Sequence, residues 1–226
     1  MPLPAGLHAQ AMSPQVLYLH GFASSPTSTK AAWLAGRFLA SGIVMDCPNL
    51  NAPRFESLTV TRMLEDVDRS IAKVPEAPVV LFGSSLGGLV AYHAAVRNLR
   101  VERLVLLAPA LDSVASLRRG LGAEKVEQWR HDGSLEVFHH GHKEQRRIGY
   151  QLLEDAEAYD AFATPLDRPM LVFQGRHDES VSAAMVERFA ATRPQVTLHL
   201  LDDDHQLISS LEFIWRESAR FLGLSG

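Results

Sequence analysis

"VVLFGSSLGGLVAY", residues 79–92, leads a short apolar run into a cluster of small residues and then into an apolar segment with helical spacing. Such a run is typical of a buried strand, and the segment that follows is typical of a helix. Two serines stand between glycines at the junction, where an ordinary turn needs only a glycine and a capping residue. The stretch therefore predicts a turn at the end of a buried strand whose small residues serve more than the reversal of the chain.

Apolar runs that suggest strands recur along the chain and alternate with helix-like segments. The runs lie at 16–20, 43–47, 78–83, 103–109, 169–175 and 196–201, and the first helices are predicted at 30–42, 57–74 and 86–98. Crossover helices must pack apolar stripes onto both faces of a parallel sheet. The alternation therefore predicts an α/β fold with a mostly parallel, doubly wound sheet of about six or more strands.

Length and composition predict one soluble domain, residues 1–226, located in the cytoplasm. A net charge of −4 without a basic stripe gives no electrostatic footprint for nucleic acid. Cys47 is the lone cysteine, which excludes an internal disulfide and a cysteine metal cluster. Residues 1–15 lack the basic start and apolar run of a signal peptide, and no segment approaches the ~20 apolar residues of a membrane span. The oligomeric state, monomer or dimer, stays open.

The alternation breaks between Leu111 and Pro165, where the sequence is charged and has no clear buried strand. We predict two short helices and a hairpin here, so that residues 112–165 form a small helical lid above the strand ends. Apolar residues of this region are expected to line an acyl pocket, with plain packing of the lid onto the core as the alternative. These residues are Leu111, Leu117, Leu121, Trp129 and Phe138.

The turn at 83–88 matches a nucleophile motif and fails two phosphate-binding motifs. A P-loop needs Lys and then Ser or Thr after its second glycine, and a dinucleotide loop needs G-x-G-x-x-G; neither pattern fits. G-x-S-x-G does fit. A nucleophile raised on a sharp turn crowds the residues two positions away, where Ser85 has Gly83 and Gly87 but Ser84 would have bulky neighbours. Ser85 is therefore the predicted nucleophile, Ser84 the turn residue beside it, and a flexible capped turn the structural alternative.

A serine nucleophile needs a base to take its proton and a carboxylate to orient that base. In this architecture the chain order is Ser, then Asp or Glu, then His, with the later two after late strands. Asp178 follows the run at 169–175, and His205 follows the next run. We therefore predict Asp178 as the acid and His205 as the base.

Neighbouring residues are weaker candidates for these two roles. Glu179 lies nearer a helix start, where it suits the helix dipole. His177 precedes the acid and cannot readily face it, and His199 lies inside a strand. The three aspartates at 202–204 are predicted as a solvated turn, although one could hydrogen-bond near His205.

The oxyanion of an acyl-transfer intermediate needs two backbone N–H donors, and loss of one typically costs ~10²–10³ in rate. Leu86, directly after the nucleophile at a helix start, is predicted to supply one. The other is expected from "LHGFASS", where Gly21 lets the chain turn and Phe22 presents its amide. His20 is then a scaffold residue that hydrogen-bonds the loop, and the ring of Phe22 either walls the pocket or packs in the core.

Histidines cluster at "HHGH", where His139, His140 and His142 raise the question of a zinc site. They lie in the charged insertion, without a nearby cysteine and without H-E-x-x-H spacing. We therefore predict a mobile, solvated segment here, with no metal and no cofactor.

Several short pieces of the sequence are similar to one known group of enzymes. They are "LYLHGFASSPTSTKA", "GSSLGGLVAY", "APA" at 108–110, "GRHDESV" and the late His205. Together they resemble the α/β-hydrolase superfamily and, more narrowly, small bacterial esterases of the YqiA type. The resemblance implies the α/β-hydrolase fold and a metal-free hydrolase of carboxylic esters or thioesters, with Ser85, Asp178 and His205 as nucleophile, acid and base. Gln206 and Leu207 stand where that group has a phenylalanine-containing run, which alters the packing beside the base.

The sequence thus predicts a serine carboxylic ester hydrolase for small to medium acyl esters, working through an acyl-enzyme on Ser85. A thioesterase, a C–C hydrolase or an acyltransferase could use the same three residues. A catalytically silent binding module with the hydrolase fold is the alternative from another class, since folds host many functions. The expected partner is a small-molecule ester.

Overall fold

The central sheet has six parallel strands in the computed structural model, which describes residues 13–74 and 76–224. The strands in chain order are β1 (Gln15–Leu19), β2 (Met45–Asp46), β3 (Val79–Ser84), β4 (Val101–Leu107), β5 (Ser134–His139), β6 (Glu144–Gly149), β7 (Met170–Gly175) and β8 (Val196–Leu201). Strands β5 and β6 form a separate antiparallel hairpin, and the other strands are ordered β2-β1-β3-β4-β7-β8. The predicted parallel α/β sheet is confirmed.

Helices cover both faces of this sheet. They are α1 (Thr29–Ala40), α2 (Val60–Ala72), α3 (Leu86–Arg97), α4 (Ser113–Leu121), α5 (Ala123–Asp132), α6 (Gln151–Ala156), α7 (Ala183–Ala191) and α8 (Leu211–Leu222). Alternate residues of a strand point to opposite faces, so Leu17 and Leu19 pack with α2, α3 and α7. Val16 and Tyr18 pack with α1 and α8 on the other face. The sheet is therefore doubly wound, as predicted.

Strand β2 is shorter than the predicted run at 43–47, because only Met45 and Asp46 pair with β1. The amide of Ile43 instead donates to the carbonyl of Phe38 and closes the end of α1 (2.9 Å). Val44 is 78% exposed at this edge of the sheet. The end of the preceding helix therefore limits the strand.

The carboxyl ends of the central strands meet at one edge of the sheet, where ligands bind in folds of this kind. Leu19 pairs with Gly83 and Ser84 pairs with Leu107, so the ends of β1, β3 and β4 are level. Gly175 and Leu201 pair at the ends of β7 and β8. The loops after β1, β3, β7 and β8 therefore come together above this edge.

The segment 112–165 joins β4 to β7 and contains α4, α5, the β5–β6 hairpin and α6. Helix α6 has no counterpart in the sequence prediction. The indole Nε1 of Trp129 on α5 donates to the carbonyl of Ile148 on β6 (3.0 Å). Both residues belong to the buried cluster that includes Leu17 and Leu19. The segment therefore packs onto the core, while its role as a lid stays a prediction.

Residues 1–12 lie outside the described residues, so the prediction about a signal peptide in 1–15 falls mainly on a part of the chain that the structure does not describe. Within 13–74 and 76–224, none of the helices has the length and apolar character needed to span a membrane.

Candidate active site

Ser85 lies at the turn between β3 and α3 with a strained backbone. Its φ of 54° and ψ of −119° fall in a region that residues other than glycine rarely adopt. The Ser85 amide donates to the carbonyl of Leu107 (3.0 Å). Its carbonyl accepts from the amides of Gly88 (2.8 Å) and Ala110 (3.0 Å). These bonds fix the turn at the carboxyl edge of the sheet.

The glycines on either side of Ser85 have no room for a side chain. A Cβ on Gly83 would lie 2.5 Å from the carbonyl oxygen of Gly87, and one on Gly87 would collide with the carbonyl oxygen of Leu19. Close backbone approach therefore requires both glycines. Ser84, by contrast, is the buried last residue of β3, so its predicted place in the turn is wrong: its backbone continues the strand ladder opposite β4.

Asp178 and His205 form a hydrogen bond between the loops that follow β7 and β8. Nδ1 of His205 lies 2.8 Å from Oδ2 of Asp178. The Asp178 side chain is fully shielded from solvent, whereas the His205 side chain is 20% exposed. His205 lines the same cavity as Ser85. Because Asp178 engages Nδ1, Nε2 is the ring nitrogen left for a further partner.

The carboxylate of Asp178 is held by several donors. Oδ1 accepts from the amides of Ser180 (2.8 Å) and Val181 (2.7 Å), and Oδ2 also accepts from Nε2 of Gln174 (2.9 Å). Burial pushes the pKa of Asp178 upward, but the hydrogen bonds from His205, the Val181 amide and Gln174 outweigh it and hold the pKa below its ordinary value. Asp178 is therefore an anion at neutral pH.

Gln174 is a residue of this site that sequence reasoning missed. It lies completely buried in β7, and its Nε2 also donates to the carbonyls of Gly175 (3.1 Å) and Val181 (3.1 Å). Its Oε1 has no hydrogen-bond partner among the described residues. A glutamine inside the apolar run "LVFQG" was the available signal, since buried polar side chains are normally paired.

Among the weaker candidates for acid and base, Glu179 borders the cavity, and His177 and His199 have other partners. His177 is exposed, and its Nε2 lies 2.6 Å from Oδ1 of Asp202. His199 stacks on an aromatic ring of β7, with 5.3 Å between the ring centroids. Asp203 contradicts the predicted solvated turn, since it is 9% exposed and its Oδ2 accepts from Oγ of Ser210 (2.8 Å). This bond ties the loop after β8 to the start of α8.

The loop after β1 runs directly against the Ser85 turn. A Cβ on Gly21 would lie 3.2 Å from Cβ of Ser85, so the approach is tight. In the part of the chain that the structure describes, the amides of Phe22 and Leu86 have no backbone acceptor. Both residues line the cavity that contains Ser85. The amides predicted as oxyanion donors thus border one cavity, and their role stays a prediction.

His20 fixes the backbone at the start of this loop. Its Nδ1 donates to the carbonyl of Gly21 (2.9 Å), while Nε2 accepts from the amide of Leu50 (3.1 Å). Burial lowers the pKa of His20, which keeps the ring neutral. The ring of Phe22 lies 5.4 Å from that of Phe55 and also borders the cavity, so it both packs and lines the pocket.

A cavity of about 1080 Å³ contains Ser85 and His205. The 112–165 segment supplies most of its apolar lining. The side chains there are Val114, Leu117, Leu121, Trp129, Leu135, Val137, Ile148, Leu152 and Leu153. Hydroxyl groups from the loop after β1 and the start of α1 also line it: Ser24, Ser25, Thr27, Ser28 and Thr29. The cavity therefore offers both apolar and polar lining to a bound molecule.

Two apolar residues that were predicted to line the pocket do not line it. Leu111 is buried in the core beside the end of β4. Phe138 is 46% exposed and packs against the ring of His140, because neighbouring residues of strand β5 alternate and Val137 takes the inner side. The other three predicted residues border the cavity.

The turn of the β5–β6 hairpin rests on the loop after β1. The amide of Gly141 donates to the carbonyl of Ala23 (3.3 Å), and a Cβ on Gly141 would lie 2.8 Å from Cβ of Ser25. His139 is completely buried, with its ring 4.7 Å from the ring of Phe55. The predicted solvated segment is therefore wrong for His139, which anchors the hairpin. Among residues 13–74 and 76–224, no group of three or more His, Cys, Asp or Glu is placed to hold a metal ion.

Lys30 is a second residue of this site that sequence reasoning missed. It is 7% exposed at the start of α1 and lines the cavity. Its Nζ lies 3.4 Å from the carbonyl oxygen of His205. Burial lowers the pKa of Lys30 to about 8, although the carboxylates of Asp178, Asp204 and Asp203 act in the opposite direction. Lys30 lies within "LYLHGFASSPTSTKA", one of the pieces that resemble the α/β-hydrolase superfamily, and this was the available signal.

Relatives in sequence and structure cover almost the whole chain. A model of the family described as "Uncharacterised protein family (UPF0227)" matches residues 15–219. The mitochondrial palmitoyl-protein thioesterase ABHD10 of Bos taurus is 27% identical over 225 residues, which are 92% of this chain and 72% of the bovine protein. The match to the Mus musculus protein spans 64% of that protein.

Solved structures share the fold. A candidate hydrolase from Agrobacterium vitis S4 superimposes with a TM-score of 0.81 at 25% identity, over 96% of this chain and 90% of that chain. The α/β hydrolase domain-containing protein 10 from mouse gives a TM-score of 0.78 at 22% identity, over 96% of this chain and 92% of that chain.

Proposed function

We propose a function from one premise: the chain belongs to the UPF0227 family and is a member of the α/β-hydrolase superfamily. The proposal is a serine hydrolase of acyl esters, in which Ser85, His205 and Asp178 act as nucleophile, base and acid. One observation carries it. A serine on a strained turn borders the same cavity as a histidine whose Nδ1 is bonded to a buried, ionised carboxylate.

In the first half of the reaction, Oγ of Ser85 forms a bond to the acyl carbon while its proton passes to Nε2 of His205. Asp178 accepts from Nδ1–H, which fixes the ring tautomer and stabilises the imidazolium. The amides of Phe22 and Leu86 donate to the oxyanion.

In the second half, the intermediate collapses and the bond from the acyl carbon to the leaving oxygen breaks. His205 returns its proton to that oxygen, so the alcohol leaves neutral and Ser85 holds the acyl group. Water then attacks the acyl carbon while His205 takes a water proton. Collapse then breaks the bond from the acyl carbon to Oγ of Ser85 while His205 returns the proton to Oγ, which gives the carboxylic acid and free Ser85.

The apolar lining of the cavity supports the choice of an acyl substrate. In the proposal this lining holds a small to medium acyl chain, residues 112–165 act as a lid over it, and the alcohol part lies against the hydroxyl groups. The whole chain, 1–226, is then one hydrolase domain with a small-molecule ester as partner. We propose a cytoplasmic location, as the sequence predicts.

A thioesterase is the second candidate. The bovine and mouse relatives are named as palmitoyl-protein thioesterases, and long acyl chains suit the apolar lining of this cavity. The chemistry differs only in the leaving atom, which is sulfur. A silent binding module is less well supported, because a positive φ at Ser85 costs about 1–3 kcal/mol that binding alone does not require.

The test compares wild type, Ser85→Ala and Ser84→Ala on matched oxygen and thiol esters from acetyl to palmitoyl. We expect Ser85→Ala to lose at least about 10³-fold in kcat, and Ser84→Ala to retain most activity while remaining folded. The ratio of kcat/KM for oxygen and thiol esters then selects the esterase or the thioesterase. Equal rates for wild type and Ser85→Ala would refute the proposed nucleophile.

A further inference from the structure

A buried lysine beside His205 has no part in the acyl transfer described above. Lys30 is 7% exposed at the first turn of α1. A buried ammonium group costs free energy unless nearby carbonyl and carboxylate groups offset its lost hydration. The groups that surround Lys30 are those of the acid–base pair and its loop.

The ammonium group links a rigid helix to the loop that carries the base. Nζ of Lys30 lies 3.4 Å from the carbonyl oxygen of His205. Helix α1 is anchored by Leu34 and Phe38, both completely buried against the sheet. The His205 loop, by contrast, has irregular backbone, with φ of 55° at Leu207. Lys30 therefore limits how far the His205 backbone can move.

Carboxylates of the loops after β7 and β8 also act on the same ammonium group. Asp178, Asp204 and Asp203 each favour its charged form, without a direct ion pair to Nζ in the described part of the chain. Removal of the cation would leave these carboxylates near one another and near His205. Their repulsion would then act on the geometry of the Asp178–His205 hydrogen bond.

We propose that Lys30 is a positioning residue for the acid–base pair: it holds the His205 loop through its carbonyl and balances the surrounding carboxylates. This inference rests on the proposed function of Ser85. Lys30 acts through His205 and Asp178, and its role requires no contact with substrate.

The charge of Lys30 gives this role a pH dependence. The charged groups that act on it are Asp178, Asp203 and Asp204, and its direct contact is the backbone carbonyl of His205. Burial lowers the pKa of Lys30 to about 8, so the ammonium form is present below that pH and is lost as the pH rises through it. The kcat/KM of wild type should therefore fall on the alkaline side, with a midpoint of about pH 8.

The test is the pH profile of kcat/KM on an ester that wild type hydrolyses, for wild type, Lys30→Met and Lys30→Arg. We expect Lys30→Met to lose about 10-fold near neutral pH and to lack the alkaline step. Lys30→Arg keeps a cation at all accessible pH values, so it should recover part of the rate and also lack the step. Lys125→Met removes an exposed lysine on α5 and should keep the wild-type profile.

Thermal unfolding separates positioning from a structural role. Since the Met variant buries no ammonium group, its Tm near neutral pH should not fall below that of wild type. An alkaline step that persists in Lys30→Met would overturn the inference, and so would a rate loss that parallels a fall in Tm. Failure of the proposed function looks different, because wild type itself would then hydrolyse no ester or thioester, and the inference would fall with it.

Discussion

At the scale of single residues, Ser85 is the position where local preference and structure conflict. A residue with positive φ costs about 1–3 kcal/mol when it is not glycine. Hydrogen bonds to Leu107, Gly88 and Ala110 hold it there, and Gly83 leaves room for the turn. A glycine at this position would make the same turn without strain. The strain at this position is therefore explained by a role for the serine hydroxyl group, which glycine lacks.

Asp178→Asn tests the acid at this scale. We expect kcat to fall by about 10³–10⁴-fold, because an amide cannot hold the His205 ring in the required tautomer. In the folded chain the pKa of Asp178 is below its ordinary value. Ionised Asp178 therefore stabilises the fold at pH values above that ordinary pKa. This contribution is lost as the pH falls through the folded pKa.

Urea unfolding measures the second part of this prediction. The free energy of unfolding should differ most between wild type and Asp178→Asn at neutral pH. The difference should shrink in acid, where the wild-type carboxyl is protonated. A difference of the same size at both pH values would contradict the assigned ionisation of Asp178.

Some of the site residues can be predicted from the sequence and others cannot, for a physical reason. Ser85, Asp178 and His205 follow apolar strands directly, so the topology of a parallel sheet brings them to one edge. Lys30 and Gln174 are different, because their place in the site depends on burial. Lys30 contacts a carbonyl 175 positions further along the chain, and no local pattern encodes that contact.

At the scale of elements, the 112–165 segment combines a firmly packed part with a loosely packed one. Trp129 on α5 is 2% exposed and bonded to β6, whereas α4 has no buried residue. Leu117 on α4 is half-buried and borders the cavity. Helix α4 is therefore the part of the segment best placed to set the length of the proposed acyl pocket.

Leu117→Trp should shorten the acyl pocket. The larger ring would fill part of the proposed acyl end of the cavity, so we expect kcat/KM for long acyl esters to fall by about 10-fold, with acetyl esters little affected. Phe138→Trp is the matched control, since Phe138 lies outside the cavity on the same segment. Equal losses on short and long esters in Leu117→Trp would contradict the proposed acyl end.

The elements of the sheet were more predictable than those of this segment. Buried parallel strands are continuous apolar runs, and the ends of all six lie within two residues of the predicted ones. Strand β2 was predicted too long because the end of α1 uses the Ile43 amide. The prediction of a solvated segment is wrong for His139 alone, because this residue is buried against Phe55, which lies far away in the sequence.

At the scale of the whole molecule, the core and the 112–165 segment share one buried cluster. Trp129, Ile148 and Leu153 belong to the same cluster as Leu17 and Leu19 of the central sheet. Apolar contact of this extent couples the unfolding of the parts that share it. We therefore expect the chain to behave as one cooperative domain.

Tryptophan fluorescence can test this expectation, because the chain has Trp33 and Trp215 on core helices and Trp129 in the segment. A variant with Trp33→Phe and Trp215→Phe reports on Trp129 alone. Its urea transition should coincide with that of far-UV circular dichroism. A Trp129 transition at clearly lower urea would instead identify a separately unfolding lid.

The central claim is that Ser85 carries the acyl group. Intact mass spectrometry after treatment with a fluorophosphonate probe, followed by peptide mapping, tests it most directly. We expect one covalent adduct on Ser85 in wild type and in Ser84→Ala, and none in Ser85→Ala. An unlabelled wild-type chain, or an adduct on another residue, would contradict the assignment of Ser85 as the nucleophile.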